Sequence, residues 1–159
     1  MRAILFGAIV AGLLAAESAG AAPAQYAGAA KCKTCHLKEY TTWAASPHAT
    51  AFERLSPEER KKPECVGCHV TGSGKPTMPG AALEGVQCEA CHGPGSLYKA
   101  VSIMSKKAYE TDREGAHKKA LEAGLILPTE ATCKGCHNEK SPNYKPFDFK
   151  TYSEKIKHW

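Results

Sequence analysis

Apolar residues crowd the start of the chain and then thin out. Ala3 to Ala16 is a continuous apolar stretch behind a single positive charge, Arg2. Beyond it, apolar positions recur at helical spacing only in short runs. The pattern predicts a helix over Ala29 to Ala45 that places Tyr40 and Trp43 on one face, and a short helix opening at Ser56-Pro57-Glu58-Glu59, where serine can cap, proline occupies the first position and acids fill the first turn. Val70 to Gly85, with its glycines and prolines, reads as a loop holding at most a short hairpin up to Val86. Gly93-Pro94-Gly95 is a stop signal, and Ser96 is a candidate cap for a new helix. Leu97 to Gly124 is the longest helical pattern, with apolar positions at Leu97, Val101, Met104, Ala108, Ala120 and Leu121 and an interruption near Thr111 to Gly115. Pro128-Thr129-Glu130 leads into another helix, Ser141 to Pro146 is extended, and Phe147 to His158 closes with a helical segment.

The leading apolar stretch is an export signal. It is too short to span a bilayer comfortably, and small residues come after it with A-x-A patterns near Ala19-Gly20-Ala21 and Ala22-Pro23-Ala24. Residues 1–24 are therefore expected to be cleaved, leaving one domain over residues 25–159 in the periplasm, with no later membrane span.

The cysteines change the picture most. All eight fall in four copies of Cys-x-x-Cys-His: Cys32/Cys35/His36, Cys65/Cys68/His69, Cys88/Cys91/His92 and Cys133/Cys136/His137. This is the attachment pattern of a c-type haem, in which the two thiols add across the vinyl groups and the histidine binds the iron. Paired zinc sites do not explain a histidine after every pair. A disulfide framework gives no reason for one either. The gaps between motifs are uneven, so the chain is not a tandem array of equal units. Four haems in a one-domain chain must supply much of its core. The expected fold is mainly α, a small multihaem cytochrome of low regular structure, with helices and long loops wrapped around four c-type haems.

The formal charge of +5 does not indicate a nucleic-acid partner. Two propionates per haem offset it, and no basic stripe runs along the chain.

Seven histidines are present. His36, His69, His92 and His137 are proximal, which leaves His48, His117 and His158 as candidate distal ligands. Three cannot serve four irons. The remaining iron is open or takes another ligand. Met78 in its glycine-rich loop and Tyr98 are candidates, whereas Met104 fits an apolar stripe better. Glu64 and Glu84 flank two motifs as candidate proton donors, with exposed surface carboxylates as the plainer reading.

Several stretches around the motifs carry a family resemblance. Tyr26 and Gly28 before Cys32, then Glu39, Trp43, Ser46, His48 and Phe52, resemble the opening of the tetrahaem cytochrome c-554 family. Gly85-Val86-Gln87-Cys88-Glu89-Ala90-Cys91-His92-Gly93-Pro94-Gly95 is similar to its third haem site. Gly124-Leu125-Ile126-Leu127-Pro128, Cys133 to Asn138, Ser141-Pro142 and Phe147-Asp148-Phe149 resemble its end. The resemblance implies parallel-stacked haem pairs, three bis-histidine haems, and one high-spin haem, the second, here on Cys65, Cys68 and His69. It also implies electron transfer from a hydroxylamine oxidoreductase-like donor to a membrane quinone or cytochrome partner. Two features depart from relatives: Tyr98 stands where many multihaem proteins place a histidine after Gly-Pro-Gly, and the chain is compact for the family.

Three functions are compatible with these residues. The first is a periplasmic electron carrier. The second is a reductase of nitric oxide or a related compound at an open iron on His69. The third is a filament subunit in which His158 reaches a neighbouring copy; a monomer is preferred to this.

Overall fold

Each Cys-x-x-Cys-His motif forms one turn of helix, because positions i, i+3 and i+4 of a helix share a face. The computed structural model describes residues 22–158. In it the motifs lie on four short helices: α1 (Ala29–Lys33), α3 (Pro63–His69), α4 (Cys88–His92) and α7 (Glu130–Lys134). Where the regular helix ends inside a motif, the turn continues. His36 N–H donates to the Cys32 carbonyl and His137 N–H to the Cys133 carbonyl, both at 2.9 Å. Between these turns stand α2 (Leu37–Ala44), α5 (Lys106–Thr111), α6 (Arg113–Glu122) and α8 (Phe149–Ile156). The described residues form no strand, only isolated bridges that join Tyr26 to Thr77 and Val70 to Glu84 and Gly85.

Some predicted elements differ from those observed. The helix expected over Ala29 to Ala45 is two, because His36 leaves helical geometry (φ −108°, ψ 54°) and becomes the residue that opens α2. Leu97 to Met104 is a series of turns, so Met104 lies on no helical stripe. Ser96 caps no helix. Its hydroxyl accepts from Gln25 N–H at 2.8 Å and its own N–H donates to the Gln25 carbonyl at 3.1 Å, a two-bond clasp across the fold. The serine at 56 does cap, reciprocally with Glu59, but over a single 3-10 turn, Glu59–Lys61. The interruption near Thr111 is Asp112, which ends α5 and caps α6 by accepting from Gly115 N–H at 2.9 Å. Asp148 caps α8 through Thr151 N–H at 2.8 Å.

The interior contains few large apolar side chains. Among the described residues the buried apolar set is Ala27, Ala29, Ala51, Leu55, Tyr98, Ala116 and Ala120, mostly alanines. Leu37, Val101, Ile126 and Leu127 stand exposed. A polar seam takes the place of a core. Thr71, Gln87 and Glu89 are buried. Gln87 accepts from Ala29 N–H at 2.7 Å and donates to the Ala82 and Glu84 carbonyls at 3.0 and 2.9 Å. The Thr71 hydroxyl donates to the Gly85 carbonyl and accepts from Gln87 N–H. The seam ties the loop over Val70 to Gly85 onto the first and third motifs, and every buried side-chain donor in it is matched.

Candidate haem-binding site

The motif helices meet through their thiols. Cys32 and Cys88 lie within hydrogen-bond reach of each other, as do Cys68 and Cys136. Burial pushes Cys91 up to about 11, with Cys133 beside it, and Cys136 up to about 12, with Cys68 beside it. All eight cysteines are free thiols and only Cys35 is exposed, so no disulfide framework exists. No three His, Cys, Asp or Glu side chains converge on one point among the described residues, as a tetrahedral zinc site requires. The first motif thus sits against the third, and the fourth against both the second and the third.

The histidines are aimed through their backbone partners. His69 Nδ1 donates to the Ala51 carbonyl at 2.6 Å, and His92 Nδ1 donates to the Ile126 carbonyl at 3.1 Å. His158 Nδ1 donates to the Ile156 carbonyl at 2.8 Å. A carbonyl can only accept, so Nδ1 carries the proton and Nε2 keeps its lone pair for a metal.

Two histidine pairs face each other. The His48 and His137 ring centroids are 6.0 Å apart, and those of His92 and His158 are 6.1 Å apart. Two imidazoles bound to one metal from opposite sides, with metal–nitrogen bonds of about 2.0–2.1 Å, set their ring centres roughly 6 Å apart. Burial holds His48, His92 and His137 below the usual imidazole range, which favours the neutral, ligating form; the neighbouring rings of His137 at His48 and of His158 at His92 act in the same direction. His137 also stacks on Phe147 at 4.6 Å, and Phe147 on Tyr152 at 5.3 Å. No ring contact joins His36, His69 or His117 to another aromatic ring among the described residues. His117 is half-buried on α6.

A cavity of about 70 Å³ opens between His92 and His158, lined also by Trp43, Ser46, Cys88 and Cys91. Trp43 is anchored there by donating its indole N–H to the Val86 carbonyl at 2.7 Å, and Tyr40 packs on it at 5.3 Å.

The candidates for other roles fall elsewhere. The Tyr98 hydroxyl donates to the Gly93 carbonyl at 2.9 Å and is buried, so it braces the turn after the third motif. Glu64 and Glu84 are exposed. Sequence reasoning missed Thr71, Gln87 and Glu89 as buried polar residues. The only signal was that the latter two lie inside the segment resembling the third haem site.

A solved structure, the reduced state of cytochrome c554 from Nitrosomonas europaea, superimposes with a TM-score of 0.58 and 31% identity, covering 84% of this chain and 79% of that one. This chain belongs to the cytochrome c-554 family. The family model described as "Cytochrome c554 and c-prime" matches residues 31–93. The curated cytochrome c-554 of Nitrosomonas europaea is 32% identical over 139 residues, 74% of this chain. The chain spans 59% of the length of that relative. Membership in the c-554 family makes the protein a c-type cytochrome with a mainly helical fold.

The residues present suit the haem that this family name implies. The Ser46 hydroxyl is buried without a hydrogen-bond partner, and it faces the cavity shared by Cys88, Cys91, His92 and His158. An interior filled mostly by small alanines, half-buried free thiols and facing imidazoles have the same chemistry: apolar space bordered by thioether-forming and iron-ligating groups.

Proposed function

We propose that the protein is an exported electron carrier that holds four c-type haems. When bound, haem supplies a one-electron Fe(III)/Fe(II) couple. The thiol pairs Cys32/Cys35, Cys65/Cys68, Cys88/Cys91 and Cys133/Cys136 would hold the four groups covalently, and His36, His69, His92 and His137 would ligate their irons. His48 completes the site of His137, and His158 completes that of His92. His117 would be the further histidine available to one of the other two sites, which would leave one iron with no second histidine of this chain. Following the resemblance, that site is His69. The observation that carries the reading is the two pairs of facing histidines, each joining a motif histidine to one of the spare ones at a separation that suits a shared metal.

The residues act by holding. Backbone carbonyls of Ala51 and Ile126 fix two proximal rings, and saturated histidine pairs limit rearrangement when the charge of the site changes. The contacts of the first motif with the third and of the second with the fourth support closely packed sites and short transfer steps. Redox proteins are the partners. A hydroxylamine oxidoreductase-like donor and a membrane quinone or cytochrome acceptor are the classes proposed. Residues 1–24 are proposed as the cleaved export signal, which places the carrier in the periplasm; residues 1–21 lie outside the described region. No helix among the described residues is long and apolar enough to cross a membrane.

The test is the matured protein's mass and pyridine haemochrome content, followed by electron paramagnetic resonance of the oxidised form. Four haems are expected, three giving low-spin signals and one a high-spin signal. Fewer than four haems, or an absence of covalent haem, overturns the reading.

A further inference from the structure

Glu89 is 1% exposed, lies between Cys88 and Cys91, and has no role in ligation. Its Oε1 accepts from Ala27 N–H at 2.9 Å and Gly95 N–H at 2.6 Å, and its Oε2 accepts from Ala27 N–H at 3.0 Å and Gly28 N–H at 2.7 Å. Every one of these partners is a donor, so the carboxylate is in its acceptor-only, ionised form. None of the ion pairs among the described residues includes it. The cradle is made of backbone and requires glycine. A Cβ on Gly95 would come 2.9 Å from Oε1, and one on Gly28, where φ is +84°, would come 3.0 Å from the Ala82 carbonyl oxygen.

A buried charge without a counter-ion is costly. Clamping three segments together does not by itself require a charge. This charge, however, stands where the first and third motifs touch through Cys32 and Cys88. Its field reaches both: burial and then this charge push the Tyr26 and Tyr98 hydroxyls upward, and the Cys32 thiol is pushed up first by its hydrogen bond with Cys88 and by burial, with this charge adding to them. Any group near this junction that gains a positive charge is stabilised by the same field.

We propose that Glu89 sets reduction potentials. It is a fixed buried negative charge at the junction of the first and third motifs that favours the oxidised state of the irons held by His36 and His92, making them the low-potential pair of the array. The inference rests on the four-haem reading. Each reduction adds one electron from an external donor to one Fe(III), giving Fe(II), and moves no proton to or from Glu89.

The test is spectroelectrochemical titration of matured wild type, E89Q and E89D, with haem content verified by mass. In E89Q two of the four transitions are expected to rise, by a roughly tenfold change in the ferric to ferrous ratio, about 59 mV for a one-electron couple, while the other two stay in place. E89D keeps the charge on a shorter arm; it should melt earlier yet leave the potentials near those of wild type. Equal shifts in E89Q and E89D, or none in either, overturn the proposal and leave Glu89 a clamp. Where E89Q does not accumulate, reduced-minus-oxidised infrared spectra of wild type carrying isotope-labelled glutamate decide. A carboxylate band of the labelled residues, absent from E89D at its wild-type position, should shift as the low-potential pair is reduced. A protonated carboxyl in either state, or no such band, overturns the idea. A chain that carries no haem by mass fails the four-haem reading instead.

Discussion

His48 and His137, from opposite ends of the motif array, face each other with ring centroids 6.0 Å apart. His48 lies just beyond α2, and His137 continues the turn of α7. The chain between them must fold back for the rings to meet. A hydrogen bond from Val86 N–H to the His48 carbonyl at 2.9 Å holds the His48 segment in place.

Replacing His48 by alanine should open the iron of the fourth motif. One low-spin signal in electron paramagnetic resonance should convert to high-spin, with the haem count unchanged by mass. His158→Ala should do the same at the third motif. If either variant keeps every low-spin signal, that pairing is wrong.

Replacing Cys133 and Cys136 together by alanine should remove one covalent haem from the mass of the protein and leave the other three. Loss of the low-spin signal assigned to His48 should accompany it. A mass that still contains four haems would show that the motif is not an attachment site.

Acid should undo the histidine pairs. Burial holds His48, His92 and His137 below their ordinary value of 6.5. Above that value both folded and unfolded chains carry neutral imidazoles, and the stability of the fold is complete. As the pH falls below it, the unfolded chain takes up protons first, and stability is lost down through the lowered folded-state values. Protons and iron also compete for the same nitrogen lone pair. An optical titration should therefore show low-spin character retained at neutral pH and lost only below about 6.5. Loss that begins on the alkaline side would contradict the pairing.

Gly85 has φ +86°, and a Cβ there would lie 2.6 Å from the Ala49 carbonyl oxygen. Gly85→Ala should cost about 1–3 kcal/mol in strain. Thermal melting monitored by far-ultraviolet circular dichroism should show the midpoint several degrees lower. An unchanged midpoint would mean that the backbone relaxes at this crossing.

Tyr98→Phe removes the hydroxyl that donates to the buried Gly93 carbonyl. The expected cost is about 1–3 kcal/mol of stability, with no change in the absorption bands of the bound haems. A new high-spin band in this variant would make Tyr98 an iron ligand after all.

Much of this protein is written in local order. The spacing within Cys-x-x-Cys-His places two thiols and an imidazole on one helical face, whatever the rest of the chain does. The caps at Ser56, Asp112 and Asp148 act across three residues, and the count of three spare histidines for four motifs needs no coordinates. Other features required the chain to close on itself. The helix over Ala29 to Ala45 breaks at His36, and Ser96 clasps Gln25 instead of capping a helix. Glu89 is swallowed by Ala27, Gly28 and Gly95, although its sequence neighbours give it no such partners. Which spare histidine faces which motif was equally invisible, because many chain paths satisfy the same local geometry. The sequence alone therefore determined the four Cys-x-x-Cys-His motifs and the three spare histidines, since those depend only on the order and spacing of near neighbours. Only the tertiary structure decided the pairing of His48 with His137, the pairing of His92 with His158, and the place of the buried charge, because those depend on packing between segments far apart in the chain.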